Sequence, residues 1–258
     1  ELRYFNIDRD KQSIIPFIRA AQKYNPGLTF WTSPWCPPSW MKITGDYPVL
    51  SSKFNHMPEK MNYILYGNVN DKVDPDEMKL VGRRGDKFPR QLATTDYFIQ
   101  DPRYLQAYAN YFCKFIDAYK EQGVNIDMVI YQNEAYSYTP YPGCAWTAEG
   151  TVRFNRDYLG PTLRQKHPEV KLYLGTFNTN RVDYVQKIAS DTKLQEYVSG
   201  MAFQWEGRES LPVLRKEHPE WNYMCSESEC GWGSFDWGAG EHTFELMNHY
   251  LGNGCNEY

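Results

Sequence analysis

The chain has 258 residues, of which 41% are hydrophobic, 16% aromatic and 23% charged, enough material for one sizeable hydrophobic core. Its net charge of −4 excludes a basic surface for nucleic acid or for an anionic membrane. The length predicts one domain over residues 1–258, or most of one. The apolar runs are too short to cross a bilayer, so we expect no integral membrane contact. The composition leaves the oligomeric state open.

The histidines and cysteines lack the spacing of a metal site or a disulfide framework. The five histidines include no close pair at metal-ligand spacing, and the six cysteines contain no C-x-x-C motif. We therefore expect no metal and no cofactor, and we interpret most of the cysteines as buried thiols.

The first predicted elements are a helix and a strand. A helical pattern begins near Asp10 or Ser13 and ends before Asn25, and Pro16 is tolerable only in its first turn. Residues 28–32 then predict a strand, because β-branched and aromatic residues dominate there.

Two tryptophans follow that strand in a proline-rich segment, residues 33–40. Three prolines in this segment prevent continued strand pairing, which leaves the tryptophans at the tip. We interpret Trp35 as a platform for a sugar ring and Trp40 as a plug of the core.

Residues 43–102 form the longest stretch without clear periodicity. They carry mixed charges, glycine and proline, and they exceed the length of an ordinary connection. We interpret them as a long βα-loop insertion, either a functional lid or a partly ordered segment. A solvated surface would also account for the charges.

Helices and strands alternate from residue 101 onward. A helix that starts at Asp101-Pro102 and ends at Gly123 has apolar residues three and four positions apart. The later elements are strands from about residues 127, 170, 200 and 221, and helices at about residues 147–167, 182–197, 211–218 and 241–251. This alternation predicts a parallel sheet, either doubly wound or a (β/α)8 barrel. No G-x-G-x-x-G motif follows a strand, which disfavours a dinucleotide site.

Acidic residues end two of the predicted strands. Glu134 follows the strand near residue 128, and Glu227 or Glu229 follows the strand near residue 221. In a barrel these strand ends face one another across the mouth. Two carboxylates about 5 to 5.5 Å apart are what a retaining glycosidase needs. The competing interpretations are a salt bridge for Glu227 and a rim position for Glu229.

Aromatic residues crowd the same strand ends. Flat apolar rings suit the C–H faces of pyranose rings, so we expect at least half of them to line a carbohydrate cleft, although ordinary core packing is the alternative. The set comprises Trp35, Tyr136, Tyr138, Tyr141, Trp146, Trp205, Trp232 and Trp237.

Taken together, several short motifs resemble glycoside hydrolase family 30, the glucosylceramidase-like retaining β-glycosidases. Each motif is weak alone, but jointly they extend over nearly the whole chain. They are Asn6-Ile7, Ile15-Pro16, Ser33-Pro34-Trp35, Asn133-Glu134, Leu159-Gly160-Pro161-Thr162-Leu163, Phe203-Gln204-Trp205 and Ser226-Glu227.

The resemblance implies a role for each matching residue. Glu134 would be the acid/base at the end of the fourth barrel strand, and Glu227 the nucleophile at the end of the seventh. Asn133 would bind the sugar at its 2-hydroxyl. The expected substrate-binding residues are Trp35, Asn133, Trp146, Gln204 and Trp205, with Trp146 added from the aromatic set.

The chain also departs from the family pattern. Ala135 replaces a usual proline, and Glu206 stands where some relatives have a tyrosine. The resemblance makes the first strand of this chain the third of the barrel. Strands one, two and eight and the accessory β-sandwich are therefore not seen, and we expect a partial barrel or a piece of a longer protein.

The leading hypothesis is a retaining glycoside hydrolase for β-linked, glucose-containing oligo- or polysaccharides, with β-1,6-glucanase or β-glucosidase preferred over xylanase. A catalytically incomplete carbohydrate-binding barrel is the alternative, and a metal-dependent barrel hydrolase is the third. The substrate class suggests a secreted, periplasmic or cell-surface protein, although no signal peptide opens this sequence.

Overall fold

The computed structural model of the protein describes residues 2–58, 96–135, 139–229 and 234–258. Within these residues, five parallel strands form one sheet in which spatial order follows chain order. The strands are β1 (Trp31–Thr32), β2 (Met128–Ile130), β3 (Lys171–Phe177), β4 (Val198–Gln204) and β5 (Asn222–Glu227). A doubly wound sheet would reverse its strand order at a switch point. The prediction of part of a (β/α)8 barrel is confirmed.

Helices precede or connect these strands. They are α1 (Asp8–Gln12), α2 (Ile14–Tyr24), α3 (Pro102–Glu121), α4 (Ala148–Phe154), α5 (Gly160–Lys166), α6 (Val182–Ala189), α7 (Thr192–Gln195), α8 (Ser210–Glu217) and α9 (Trp237–Gly252). The first predicted helix is thus two helices, which meet at Ser13, and Pro16 lies in the first turn of α2 as expected. The first strand is shorter than predicted, and α9 begins earlier than residue 241.

The helix α3 forms for the reasons that its sequence suggests. The side chain of Asp101 accepts a hydrogen bond from the backbone N–H of Arg103 and so caps the helix, and Pro102 occupies the first position. Its buried face includes Leu105, Tyr108 and Phe112. The apolar spacing therefore predicted the buried face of this helix correctly.

A π-helical segment, Asn155–Leu159, joins α4 to α5 into one helical stretch. The sequence predicted a single helix over 147–167, and the chain indeed stays helical from Ala148 to Lys166. Gly160 lies where a β-carbon would stand 2.6 Å from the ring of Tyr197. Glycine at this position permits the close packing of the start of α5 against the ring of Tyr197.

The interior face of the sheet forms a separate apolar cluster. It consists of Met128, Ile130, Tyr173, Ala202 and Met224, one or two residues from each of β2 to β5. Side chains on the opposite face pack against the helices, since successive strand residues point to opposite sides. Glu257 adds a parallel bridge to Met224 at the outer edge of β5.

The predicted insertion at 43–102 is only partly described, because residues 59–95 lie outside the described residues. Its two ends are tied to the domain. Lys42 and Phe98 form an antiparallel bridge, and Pro48 forms another with Pro142. Among the described residues, no helix is both long and apolar enough to cross a membrane.

Candidate active site

Polar side chains meet at the carboxyl edge of the sheet. Gln204 is the last residue of β4 and is in register with Glu227, the last residue of β5. Thr176 lies near the end of β3, and Glu134 follows β2 after a short turn. Because all of these strands are parallel, their ends bring the four residues to one rim, where barrel enzymes place their active sites.

The backbone of Glu134 adopts an uncommon conformation. Its φ of 48° lies in the left-handed region, which is unfavourable for residues other than glycine. The backbone N–H donates to both the carbonyl oxygen and Oγ1 of Thr176, at 3.1 and 3.2 Å. The half-buried side chain accepts a hydrogen bond at Oε1 from Nδ2 of Asn178, at 2.8 Å. The turn and these contacts hold the carboxylate in a defined place.

A buried polar network connects the strand ends. The hydroxyl of Thr176 donates to Oδ1 of Asn133 at 2.9 Å, and Nε2 of Gln204 lies 2.9 Å from both of those oxygens. The same nitrogen lies 3.2 Å from Oε2 of Glu227. An amide nitrogen has two hydrogens, so three acceptors share them. The buried side chains of Thr176 and Gln204 therefore link Asn133 to Glu227.

The two glutamates interact electrostatically. Burial, and after it the negative charge of Glu134, raises the pKa of Glu227 above its ordinary value of 4.5. Two nearby carboxylates lose this repulsion when one of them takes a proton. The pair is thus suited to hold one protonated and one ionised carboxyl. The raised pKa of Glu227 favours the proton on Glu227 in the free protein, which is opposite to the roles that the sequence resemblance implies.

Trp35 is bonded through its backbone to the segment that carries Glu134, and its ring is half exposed. Its exposed fraction is 48%, and its ring centre lies 5.7 Å from that of Tyr141, which is equally exposed. The carbonyl oxygen of Trp35 accepts a hydrogen bond from Nε2 of Gln132, two residues before Glu134. Trp205 follows Gln204 directly and is partly buried. Trp35 and Tyr141 together offer an accessible aromatic surface.

A buried lysine stabilises the loops around this aromatic surface. Lys42 is 2% exposed, and its Nζ donates to the carbonyl oxygens of Tyr47, Pro48 and Gly143 at 2.7, 2.9 and 2.8 Å. All three ammonium hydrogens have a partner, which offsets the cost of burial. Lys42 is not recognisable from the sequence, since one lysine next to a charged, aperiodic stretch looks like a solvated residue.

Two of the tryptophan predictions differ from the structure. Trp146 is fully buried, its ring stacks on Phe98 at 4.9 Å, and its Nε1 faces Oε1 of Gln132 at 3.4 Å. It is a core residue that supports the active-site strand, so the expectation that it lines the cleft is not met. Trp40, predicted to plug the core, is 47% exposed and packs on Tyr104.

The remaining predicted residues lie at the rim or beyond the described ranges. Oε1 of Glu229 lies 2.5 Å from Nε2 of His242, beside a cavity of about 330 Å³ that Trp205 also lines. Trp237 starts α9 and is 82% exposed. Tyr136, Tyr138 and Trp232 fall outside the described residues.

Residues 2–58, 96–135, 139–229 and 234–258 contain free thiols but no cluster of metal ligands. The five cysteines found there are all free thiols, and four of them are buried, as predicted. No group of three or more His, Cys, Asp or Glu side chains in these ranges could hold a metal ion.

Five parallel strands in chain order, with two interacting carboxylates at their carboxyl ends, define part of a (β/α)8 barrel with a polar site at its mouth. The TIM-barrel domain model of glycosyl hydrolase family 30 matches residues 1–53 and 97–252. The chain belongs to this family, and the resemblance inferred from its motifs is confirmed. Residues 54–96 lie between the two matched stretches.

Curated relatives of the chain carry two kinds of name. Putative glucosylceramidase 1 of Caenorhabditis elegans is 26% identical over 91% of this chain and 39% of its own length. Lysosomal acid glucosylceramidase of Mus musculus is 28% identical over 77% of this chain and 31% of its own length. Endo-1,6-beta-D-glucanase neg1 of Aspergillus fumigatus is 24% identical over 77% and 34%. The chain thus spans less than half the length of these relatives.

Solved structures show the same fold. The endo-beta1,6-glucanase BT3312 superposes with a TM-score of 0.70 and 22% identity, over the whole of this chain and 51% of that one. SrfJ from Salmonella typhimurium superposes with a TM-score of 0.71 and 20% identity, over 98% of this chain and 48% of that one.

Proposed function

We propose that the protein is a retaining glycoside hydrolase that cleaves β-glycosidic bonds of glucose-containing saccharides by double displacement. The observation that carries the proposal is the carboxylate pair, since Glu227 lies close enough to Glu134 for the charge of Glu134 to raise the pKa of Glu227. Family membership supports this reading of the pair. The division of roles rests on the sequence resemblance.

In the first step, Glu227 attacks the anomeric carbon through one carboxylate oxygen. The bond between the anomeric carbon and the leaving oxygen breaks, and its electron pair goes to that oxygen. Glu134 donates its proton to the same oxygen, so the leaving group departs as an alcohol. The products are a glycosyl ester on Glu227 and an ionised Glu134.

In the second step, Glu134 acts as a base toward a water molecule. The water attacks the anomeric carbon, its proton passes to Glu134, and the ester bond to Glu227 breaks with its electron pair returning to the carboxylate. Two inversions restore the original β configuration. The enzyme returns to a protonated Glu134 and an ionised Glu227.

The neighbouring residues fit a sugar-binding role. Oδ1 of Asn133 is occupied by the donors Thr176 and Gln204, so its NH₂ group is what Asn133 offers to a sugar hydroxyl. Trp35, with Tyr141 beside it, offers a flat apolar surface to a pyranose ring, and Trp205, which follows Gln204 and lines a neighbouring cavity, is the second expected aromatic contact. Gln204 contributes indirectly, because its amide donates a hydrogen bond to Glu227 and so positions that carboxylate toward the sugar.

The names of the relatives favour glucose-containing substrates. The curated matches are called glucosylceramidases and endo-1,6-beta-D-glucanases. The structural matches called xylanases are 17% identical or less and indicate the fold alone. We therefore propose β-linked glucosides, and 1,6-linked glucans among them, as the first substrates to assay. A polymeric substrate of this kind would place the protein outside the cytoplasm, which recovery of activity from culture medium would test.

Azide rescue tests both the activity and the roles. The wild-type protein should hydrolyse an aryl β-glucoside and release β-glucose first, as seen by proton NMR. In Glu227→Ala, azide should attack the substrate directly and yield the α-glucosyl azide. In Glu134→Ala, azide should attack the glycosyl ester and yield the β-glucosyl azide. Exchanged products would reverse the assignment, and unchanged activity in Glu227→Ala would refute it.

The alternative, a carbohydrate-binding barrel without turnover, gives a different result. Calorimetry would then show glucan binding by the full protein, while hydrolysis stays absent with an activated aryl glycoside. Loss of that binding in Trp35→Ala would still place the sugar on the exposed aromatic surface.

A further inference from the structure

Asn178 joins the carboxylate of Glu134 to a different strand end. It follows β3 directly and is partly buried. Its Nδ2 donates to Oε1 of Glu134 at 2.8 Å, and its Oδ1 accepts a hydrogen bond from the backbone N–H of Glu206 at 3.1 Å. One short side chain therefore connects the turn after β2 to the turn after β4.

The bond to Glu206 fixes the orientation of the amide. An asparagine side chain can present either its oxygen or its nitrogen to a neighbour, but a backbone N–H can only donate. Oδ1 must therefore face Glu206, and Nδ2 must face Glu134. This contact is made by the backbone of Glu206.

The oriented amide makes the two carboxyl oxygens of Glu134 different. Oε1 accepts the N–H of Asn178, and an added proton on Oε1 would compete with that hydrogen bond. Among the described residues none donates a hydrogen bond to Oε2, which therefore remains to carry the proton that moves during a reaction. The contact also restrains rotation of the carboxyl group, so that this oxygen keeps one position relative to the anomeric carbon.

We propose that Asn178 is a positioning residue that directs the transferable proton of Glu134 to Oε2. This inference rests on the proposed glycosidase activity and on the role of Glu134 as acid. It goes beyond them because it assigns one oxygen of the carboxyl group to proton transfer and names the residue that selects it.

The test is the dependence of kcat/KM on the leaving group in a series of aryl and alkyl β-glucosides. Asn178→Asp keeps the acceptor for Glu206 and nearly the same shape, but it replaces the donor to Glu134 with an oxygen. We expect a roughly tenfold to hundredfold loss for phenyl and alkyl leaving groups, within the range that general acid catalysis supplies. For 2,4-dinitrophenolate, which needs little protonation, the loss should stay below about threefold.

Two further variants complete the comparison. Glu134→Ala should show the same pattern more strongly, and Asn178→Ala should show it without an added charge. Asn110→Asp on α3 adds the same negative charge as Asn178→Asp, but away from the site. It should match the wild type for every substrate. The dinitrophenyl glycoside reports folding in each variant, because it needs only an intact site and nucleophile.

The outcomes separate the inference from the proposed function. If both Asn178 variants lose the same factor for every leaving group, or lose nothing, while Glu134→Ala shows the pattern, the role of Asn178 is wrong and the glycosidase assignment stands. If the wild-type protein hydrolyses none of the substrates, the proposed function fails and this inference fails with it.

Discussion

Thr176 and Asn133 are joined by a hydrogen bond of 2.9 Å from the threonine hydroxyl to Oδ1 of the asparagine. The same hydroxyl oxygen accepts the backbone N–H of Glu134 and lies within reach of Nε2 of Gln204. Both side chains of the pair are buried. One hydroxyl group thus contributes to the position of the proposed acid, of the proposed sugar ligand and, through Gln204, of the proposed nucleophile.

Replacing Thr176 by valine should damage both stability and activity. The two side chains have nearly the same shape, but valine leaves Oδ1 of Asn133 and the N–H of Glu134 with fewer partners in the interior. We expect a loss of about 1 to 3 kcal/mol in the free energy of unfolding, measured with urea. We expect kcat to fall about tenfold, the equivalent of about 1.4 kcal/mol in the barrier.

Thr176→Ser is the matched control for that prediction. Serine keeps the hydroxyl and loses one methyl group, so kcat should stay near the wild-type value while stability falls slightly. Equal kcat values in the valine and serine variants would show that the hydroxyl does not position the site.

Stability should depend on pH through Glu227. Its folded-state pKa is raised above the ordinary value of 4.5 by burial and by the charge of Glu134. A raised pKa means that the folded state binds the proton more tightly than the unfolded state. The stabilisation from this group is therefore fully present below about pH 4.5 and is lost as the pH rises through the folded-state pKa.

Glu227→Gln removes this dependence, because glutamine cannot ionise and can still accept the hydrogen bond from Gln204. Relative to the wild type, we expect the variant to be more stable at pH 7 and to lose this advantage on acidification, measured by urea denaturation. Glu134→Gln should give part of the same effect, since burial remains the larger cause. A difference that grows toward low pH would contradict the assignment of the raised pKa.

The sequence predicted the architecture well because its signals were local and repeated. The apolar spacing of α3 and the alternation of strands and helices indicated a parallel sheet, and the strand order then selected the barrel. Strand-end positions also indicated Glu134 and Glu227, since the carboxyl ends of parallel strands share one edge.

The supporting residues could not be predicted in the same way. No motif in the sequence marks Thr176, and its partners Asn133 and Gln204 are 43 and 28 positions away. Trp146 was indistinguishable from Trp35 by residue type and by its place near a strand end. Its full burial and its packing on Phe98, which depend on the folded structure, show that this ring is in the core.

Lys42→Met should destabilise the loops that surround Trp35. Methionine fills a similar volume, but it cannot donate to the three carbonyl oxygens that now surround Nζ. Hydrogen bonds from a charged group contribute more than neutral ones, so we expect a loss of about 1.5 to 3 kcal/mol in the free energy of unfolding. Lys114→Met, at an exposed position on α3, should change it by less than about 0.5 kcal/mol. Equal effects of the two substitutions would mean that the buried contacts of Lys42 contribute little.

Trp35→Ala should weaken saccharide binding without a large effect on folding. The ring is 48% exposed, so its removal creates no closed cavity. Loss of the apolar surface under a pyranose ring should raise KM roughly fivefold to tenfold while kcat changes less. Initial rates on a glucan oligosaccharide measure this, with thermal unfolding as the control. An unchanged KM would remove Trp35 from the substrate-binding surface.

Trp146→Phe should give the opposite pattern. The smaller ring keeps part of the stacking on Phe98 but leaves a gap in a fully buried position, and it loses the indole N–H that faces Gln132. We expect the free energy of unfolding to fall by about 1 to 3 kcal/mol, whereas KM at a temperature well below the transition should stay within about twofold of the wild type. Because Gln132 also donates to the carbonyl oxygen of Trp35, a modest loss of kcat is expected. A rise in KM as large as that in Trp35→Ala, without loss of stability, would restore Trp146 to the cleft.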